Sequence, residues 1–451
     1  SPREDGLYGS RESTETRREP RGRRHERSEP LASESTGPGG AEAAVGVNWR
    51  YRHTVLTLCM LAFFVTYFAR LAISPVVPLI IDDFEVSNTA VGVALSGMWF
   101  AYGLSQFPSG ILADRFGERR VILVAVGGTT AMSLLLAIVP VFPAFVLAAV
   151  LLGLAAGLHY AVATTLLSRT FDDLGTAVGI HSLGGPLAGL VAPVAATWVG
   201  VRYGWRPGVA LAALVGVPIF VLFARRVRPT EPRRPDQPMA ERLRLAPLLE
   251  LVGRREILVP LVVATLGTYV AQGVISFLPT FLVELRGYSP AFAGGVFSAF
   301  FVVRAGAQVG LGRLSDRLGR DASIAAALLG GALGLGGRVA LPGLLRLPAA
   351  VGLPALPALA GLGVAVFLAG LGSSFFSAID PRFMDALGDA ERGAGFGLIR
   401  TVYTVIGSAG SVGVGLAADL FGWAASFAVI AGMSGLAFLV ISANALVGEG
   451  R

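Results

Sequence analysis

Long apolar runs separated by short polar loops dominate the chain from about residue 54 to residue 447. A helix needs about 20 residues to cross the ~30 Å core of a bilayer. The runs reach that length without the alternating polarity of barrel strands. The pattern therefore predicts an all-α membrane protein with twelve transmembrane helices. The predicted spans are 54–81, 88–112, 121–139, 143–168, 176–200, 207–224, 257–283, 291–313, 322–345, 353–379, 393–418 and 424–447.

Polar segments divide the chain into four predicted regions. Residues 1–49 are rich in Arg, Glu, Ser, Pro and Gly, which is typical of a disordered tail. Six predicted helices lie in residues 50–224 and six in residues 257–447, with a polar loop at 225–256 between them. Arg concentrates in the loops on one side, and such an excess marks the cytoplasmic side. We expect both termini, the tail and the central loop to be cytoplasmic, in a multi-pass protein of the plasma membrane.

Composition narrows the class of protein. The chain of 451 residues is 53% hydrophobic and only 15% charged, which excludes a soluble enzyme and a disulfide scaffold. Its net charge of +7 comes from Arg without any Lys, and we interpret it as anchoring at the membrane surface rather than nucleic-acid binding. No Walker loop, metal-ligand cluster or cofactor motif is present in the sequence, so we expect no cofactor and no metal.

The chain repeats itself at a shift of 202 residues, which places residues 66–117 on residues 268–319 without a gap. The repeat-related pairs include Thr66 and Thr268, Tyr67 and Tyr269, Ser74 and Ser276, Gln106 and Gln308, and Asp114 and Asp316. A second shift, of 218 residues, places Gly204 and Trp205 on Gly422 and Trp423. Six helices are therefore duplicated in the same topology, as in transporters whose halves move about a central site.

Two copies of one loop carry a specific resemblance. The first copy contains Gly110, Asp114, Arg115 and Gly117, and the second contains Gly312, Asp316, Arg317 and Gly319. These loops resemble the signature loop of the major facilitator superfamily. The resemblance implies two pseudo-symmetric six-helix halves, alternating access, gating by these loops, a monomer and no enzyme activity. We expect Gly110 and Gly312 to allow close helix approach, and the acidic departures Glu118 and Asp321 to weaken charge pairing.

Polar and charged residues inside the spans indicate a solute site, because they are costly in a bilayer and face an interior or a cavity. Arg70 lies deep in the first span, and the repeat places Gln272 at the matching position, with Tyr67 and Tyr269 one turn earlier. A guanidinium suits a carboxylate or phosphate group. We expect these residues to bind an organic anion, unless Arg70 is neutralised by its own helix partners. Arg304 is a second ligand candidate or a partner of Asp380.

Three residues are candidates for carrying a coupling proton. Asp380 is a carboxylate inside a span, although pairing with Arg304, Arg382 or Arg400 is the favoured alternative. His159 and His181 can titrate near neutral pH, but hydrogen-bonded packing is the favoured interpretation for both.

The sequence leaves three functions open. The first is a transporter of small organic anions by proton symport or exchange. The second is a proton-coupled exporter of drugs or amphiphilic metabolites, favoured by the aromatic first helix and a partial Gly-Pro pattern around Pro186. A polytopic membrane enzyme or sensor is a remote third. The expected partners are a small-molecule solute, protons and the lipid bilayer.

Overall fold

A computed structural model describes residues 39–236, 252–340, 356–388 and 392–449 of the chain. The chain divides into two compact units, Ser1–Asn48 and Trp49–Arg451, and the account below concerns the second. Most of the predicted tail, much of the central loop and the proline-rich boundary after residue 340 lie outside the described residues. The first helix begins at Gly39, within the predicted tail.

Helices form nearly all of the described structure. In the first part of the chain they are α1 (Gly39–Leu71), a 3₁₀ turn (Ser74–Val76), α2 (Val77–Phe84), α3 (Asn88–Phe116), α4 (Glu118–Ile138), α5 (Phe142–Gly157), α6 (Tyr160–Ser168), α7 (Leu174–Ser182), α8 (Gly184–Tyr203) and α9 (Trp205–Arg226). In the second part they are α10 (Arg255–Glu284), α11 (Pro290–Leu318), α12 (Arg320–Ala340), α13 (Leu356–Gly372), α14 (Phe376–Ala386), α15 (Arg392–Gly407) and α16 (Ala409–Glu449).

Nine segments of the described chain are long and apolar enough to cross a membrane. They are Tyr51–Phe84, Glu118–Ile138, Phe142–Ser168, Leu174–Tyr203, Trp205–Arg226, Arg255–Glu284, Pro290–Leu318, Leu359–Ala386 and Gly395–Val447. Each overlaps one or two of the predicted spans. The prediction of an all-α membrane protein is therefore confirmed. Helix α3 covers the predicted span 88–112, and α12 covers residues 322–340 of the predicted span 322–345, although neither helix belongs to these nine segments.

Four glycines with positive φ occupy positions related by the internal repeat. Gly117 and Gly319 end repeat-related helices at φ 85° and 91°. Gly204 and Gly422, related by the second shift, have φ 92° and 80°. A Cβ disfavours this backbone region, so a glycine is the residue that turns the chain there most easily. The same turn chemistry recurs at matching places in the two parts of the chain.

The hydrophobic cores show that the helices meet at one end and part at the other. One core takes residues from both parts of the chain, such as Phe145 and Phe297, and we call its location the packed end. Two further cores stay separate. One lies wholly within residues 55–227 around Phe223, and the other lies within residues 257–441 around Phe383. We call the end formed by these two cores the split end.

Candidate functional site

A cavity of about 330 Å³ lies between the two parts of the chain and takes lining residues from both. Residues three or four apart on a helix lie on the same face. Phe63, Tyr67 and Arg70 therefore share the face of α1 that lines the cavity. The same spacing places Trp99, Tyr102 and Gln106 on one face of α3. The predicted site residues Arg70, Tyr67, Gln272, Arg304 and Asp380 all line this cavity.

Arg70 is the most deeply buried charge on the cavity, at 2% exposure. Its Nε donates to the Thr66 carbonyl oxygen of the preceding turn, at 3.0 Å. Its terminal nitrogens Nη1 and Nη2 have no hydrogen-bond partner among the described residues. Burying donors of a charged group without partners is costly. Both nitrogens can therefore donate hydrogen bonds to the oxygen atoms of a solute.

Other cavity residues also present unpaired polar atoms within the described part of the chain. Gln106 Nε2 and Arg304 Nη1 are donors, and Gln272 Oε1 is an acceptor. With the two Arg70 nitrogens, the donors outnumber the acceptor. This balance suits a solute rich in acceptors, such as a carboxylate or a phosphate ester.

Asp380 lies on the cavity wall within reach of two polar residues. The Tyr403 hydroxyl donates to its Oδ1 at 3.2 Å. Arg400 is close enough to attract it electrostatically without a direct ion pair. Arg400 itself lies over the Tyr160 ring, at 5.3 Å from its centroid. Arg382, expected as another partner, instead binds Asp321 at 3.0 Å.

His159 and His181 are fully buried behind the cavity wall rather than on it. Their ring centroids are 5.4 Å apart, and Phe63 packs against both rings. The Cys59 backbone lies within hydrogen-bonding reach of both imidazole rings. The structure thus brings the two histidines together, although they lie on separate predicted spans.

Tyr269 is separated from the other predicted ligands. Its hydroxyl and ring lie against Gly413, and its backbone lies against Gly410. It is half-buried and does not line the cavity, whereas its repeat mate Tyr67 does. The pseudo-symmetry predicted for Tyr67 and Tyr269 therefore does not extend to their side chains.

The two signature-like loops lie at the split end. Asp316 binds Arg320 at 2.8 Å, and the Arg115 guanidinium lies 5.6 Å from the centroid of the Phe116 ring. The expectation of close helix approach at Gly110 and Gly312 is wrong for this structure, because a Cβ at either position would meet no atom within 4 Å. The separation of the two cores at this end explains the open space.

Both acidic departures in the loops form ion pairs with Arg, although weaker charge pairing is the sequence-based expectation. Glu118 is buried and binds Arg169 at 2.9 Å. Asp321 binds Arg382 at 3.0 Å. In each ion pair, the Arg lies on a different helix or loop from the acid but in the same part of the chain, the first or the second. Nearby, a hydrogen bond from Thr176 lowers the pKa of the exposed Asp173 carboxyl.

Sequence reasoning missed several cavity residues. Trp99, Tyr102 and Tyr160 looked like ordinary aromatic residues of apolar helices. One signal was available, because Gln106 and Gln308 are repeat mates and both line the cavity. In this case, a polar residue that recurs at the same position of both repeats lines the cavity in each. Within the described residues, no group of three His, Cys, Asp or Glu side chains is placed to hold a metal ion.

Comparisons with known proteins agree with the fold. A hexuronate transporter from Bacillus subtilis is 23% identical over 246 residues, which cover 52% of this chain and 57% of that protein. The multidrug resistance protein MdtG of Citrobacter koseri is 29% identical over 297 residues, covering 63% and 71%. The chain spans about half the length of the first curated relatives that it matches.

A solved structure shows the same fold. The crystal structure of a D-xylose-proton symporter matches with a TM-score of 0.71 at 16% identity, covering 87% of this chain and 97% of the symporter. The family model described as Major Facilitator Superfamily matches residues 59–367, more than half of the chain. With its duplicated helices and central cavity, this chain belongs to the Major Facilitator Superfamily.

Proposed function

We propose that this chain is a secondary active transporter of small organic anions, working by proton symport or anion exchange. The observation that carries the proposal is the pair of unpaired Arg70 nitrogens on the cavity wall. A carboxylate or phosphate oxygen pair would satisfy both donors and neutralise the buried charge. The hexuronate transporter among the relatives makes a sugar acid the natural first probe.

We place Arg70, Gln272, Tyr67 and Arg304 at the solute, because all four line the cavity, whereas Tyr269 does not. The unpaired Gln272 oxygen can accept from a solute hydroxyl while the arginines hold its charge. Amide and aromatic side chains on the wall complement the hydroxyls and the C–H faces of a sugar ring. The solute is therefore proposed to be a hydroxylated carboxylate or a sugar phosphate.

We further propose twelve membrane spans in two six-helix halves, at residues 50–224 and 257–447, joined by a cytoplasmic loop. Nine candidate segments support this count, together with α3, α12 and the turn at Gly422 within the longest segment. The excess of Arg in the loops on one side supports a cytoplasmic location for the split end, both termini and the signature-like loops. The structure then represents the inward-facing state of a monomer in the plasma membrane, with the two loops acting as the gate.

Coupling is assigned to Asp380, with the His159–His181 pair as the second candidate. Asp380 lines the cavity without a direct ion pair in the described part of the chain, so it can exchange a proton with the cavity. The two histidines are shielded from the cavity by Phe63 and Tyr160. A proton would reach them only if these aromatic side chains moved.

The experiment is isothermal titration of the purified protein with D-glucuronate, cyclohexanecarboxylate and D-glucose. These probes separate the need for charge from the need for hydroxyls. We expect D-glucuronate to bind most tightly and Arg70→Gln to weaken it about 10- to 100-fold, the worth of charge-assisted hydrogen bonds. Arg202→Gln is the matched control, since Arg202 lies over the exposed Trp198 ring at 4.5 Å, away from the cavity. Equal affinity in the parent and Arg70→Gln would reject the anion site.

A second candidate function is export of amphiphilic drugs coupled to inward protons. The aromatic lining, which includes Phe63, Phe301 and Phe376, and the resemblance to MdtG favour it. Ethidium efflux from energised vesicles tests this alternative. Efflux that is unchanged in Arg70→Gln, together with no anion binding, would replace the first proposal by the second.

A further inference from the structure

Three aromatic rings surround the Arg70 guanidinium. Its central carbon lies 4.1 Å from the centroid of the Tyr102 ring, 4.8 Å from Tyr67 and 4.9 Å from Trp99. Two of these rings come from α3 and one from α1. We call Tyr67, Trp99 and Tyr102 the aromatic cage. Among the described residues, no carboxylate pairs with Arg70.

We infer that the aromatic cage is the positioning device of the transporter: Trp99 and Tyr102 hold Arg70 charged, oriented and unpaired until a solute arrives. This inference rests on the proposed anion site and adds to it two residues that act through Arg70. A ring face attracts a cation through its quadrupole and uses none of the guanidinium N–H donors. A carboxylate partner would satisfy the charge equally well but would occupy those donors.

The cage therefore compensates the buried charge of Arg70 while leaving its N–H donors free to bind a solute. A buried charge needs compensation, since an uncompensated ion in a low-dielectric interior is strongly destabilising. An anion site also needs free donors that are already oriented, because ordering them on binding lowers affinity. Ring faces meet both needs. By contrast, Arg304 lies 6.0 Å from both Phe301 and Phe376, so it is held less closely.

The first test needs no solute. Thermal unfolding temperatures are measured for the parent, Arg70→Gln, Tyr102→Leu and the double variant, purified in detergent. If the ring compensates the buried charge, Tyr102→Leu destabilises the parent but costs less once Arg70 is already Gln. Phe376→Leu is the matched control, because its ring lies near Arg304 instead, and its effect should add to that of Arg70→Gln. Additive effects at positions 70 and 102 would overturn the cage.

The second test separates a positioning role from simple packing. D-glucuronate is titrated into the parent, Tyr102→Phe and Tyr102→Leu. Phenylalanine keeps the ring face and should keep the parent affinity within about 2-fold, whereas leucine should weaken binding about 2- to 30-fold, in line with the strength of a cation–π contact. Equal losses in both variants would assign the effect to the hydroxyl and contradict the cage.

The two proposals fail separately. Suppose that D-glucuronate binds the parent, that Arg70→Gln abolishes this binding, and that Tyr102→Leu does not weaken it. The anion-site proposal is then supported and the cage proposal is rejected. If D-glucuronate does not bind the parent, the anion site fails for this probe, and the thermal cycle between Arg70 and Tyr102 still decides whether the cage exists.

Discussion

The Ser74 hydroxyl donates to the backbone carbonyl of Ser276 at 2.9 Å, and these residues are 202 positions apart, which is the spacing of the internal repeat. They are therefore repeat mates in direct contact. In a pseudo-symmetric assembly, only residues close to the symmetry axis can meet their own mates. The hydroxyls of Ser276 and Ser411 share a hydrogen bond at 2.6 Å. Three buried serines thus connect the two repeats at the packed end.

Cross-linking these mates should lock the packed end. We expect Ser74→Cys with Ser276→Cys, in a Cys59→Ala background, to stop transport after treatment with a short bifunctional thiol reagent, because alternating access requires this contact to open. Transport after cross-linking is measured by counterflow in proteoliposomes. If the reagent contains a disulfide, a reducing agent should restore transport. Each single cysteine variant is a control. Full transport in the cross-linked protein would show that the contact never opens.

Asp419 should act as a latch at the same end. Its carboxylate accepts hydrogen bonds from the Asn88 and Thr89 backbone N–H groups, at 3.2 and 2.7 Å, and from both side chains. It thus caps α3 from the other part of the chain. Losing a helix cap costs about 0.5–2 kcal/mol, so we expect Asp419→Ala to increase opening of this end about 2- to 30-fold.

The latch is measured by labelling a cysteine at Ile275, a buried cavity residue, with a membrane-impermeant reagent added from outside the cell. Cys59→Ala again removes the native thiol. Asp172→Asn is the matched control, since Asp172 is fully exposed and lies 3.9 Å from Arg52, a surface pair of little worth. A labelling rate in Asp419→Ala no faster than in this control would argue against the latch.

Asp380→Asn should uncouple transport from the proton gradient. A neutral amide cannot release a proton, so uptake of D-glucuronate driven by a pH gradient should fall to the gradient-free level. Counterflow exchange should persist, because the Arg70 site remains intact. Tyr403→Phe, which removes the 3.2 Å hydrogen bond to Asp380, should keep coupling with a shifted pH dependence. If gradient-driven uptake persists in Asp380→Asn, the coupling proton would instead be assigned to the His159–His181 pair.

The ion pair between the buried Glu118 and the partly exposed Arg169 should stabilise the split end in the first part of the chain. Removing one partner of a fully buried pair costs about 3–5 kcal/mol. Because the Arg169 side chain is 27% exposed, we expect a smaller loss for Glu118→Gln, about 1–3 kcal/mol. The thermal unfolding temperature should fall by about 2–5 °C. Asp385→Asn is the control, since the Asp385 side chain is 58% exposed, and an equal effect there would count against burial as the cause.

Several features of the site could be predicted because the bilayer makes them costly anywhere else. Arg70, Arg304 and Asp380 stood out as charges inside apolar runs, and all three line the cavity. Tyr269 was placed with them by symmetry, but its ring packs against Gly413. A repeat fixes which backbone positions correspond, whereas the direction of each side chain depends on neighbours that the two halves do not share.

The sequence alone determined the helical membrane class, the duplication and the family, because hydrophobic length, repeat spacing and loop chemistry are local properties of the chain. Only the tertiary structure decided which partners meet. It placed Tyr67, Trp99 and Tyr102 around Arg70, joined His159 to His181, and paired Glu118 with Arg169. These contacts depend on how separate helices cross, and an isolated span carries no record of the side chain it will face.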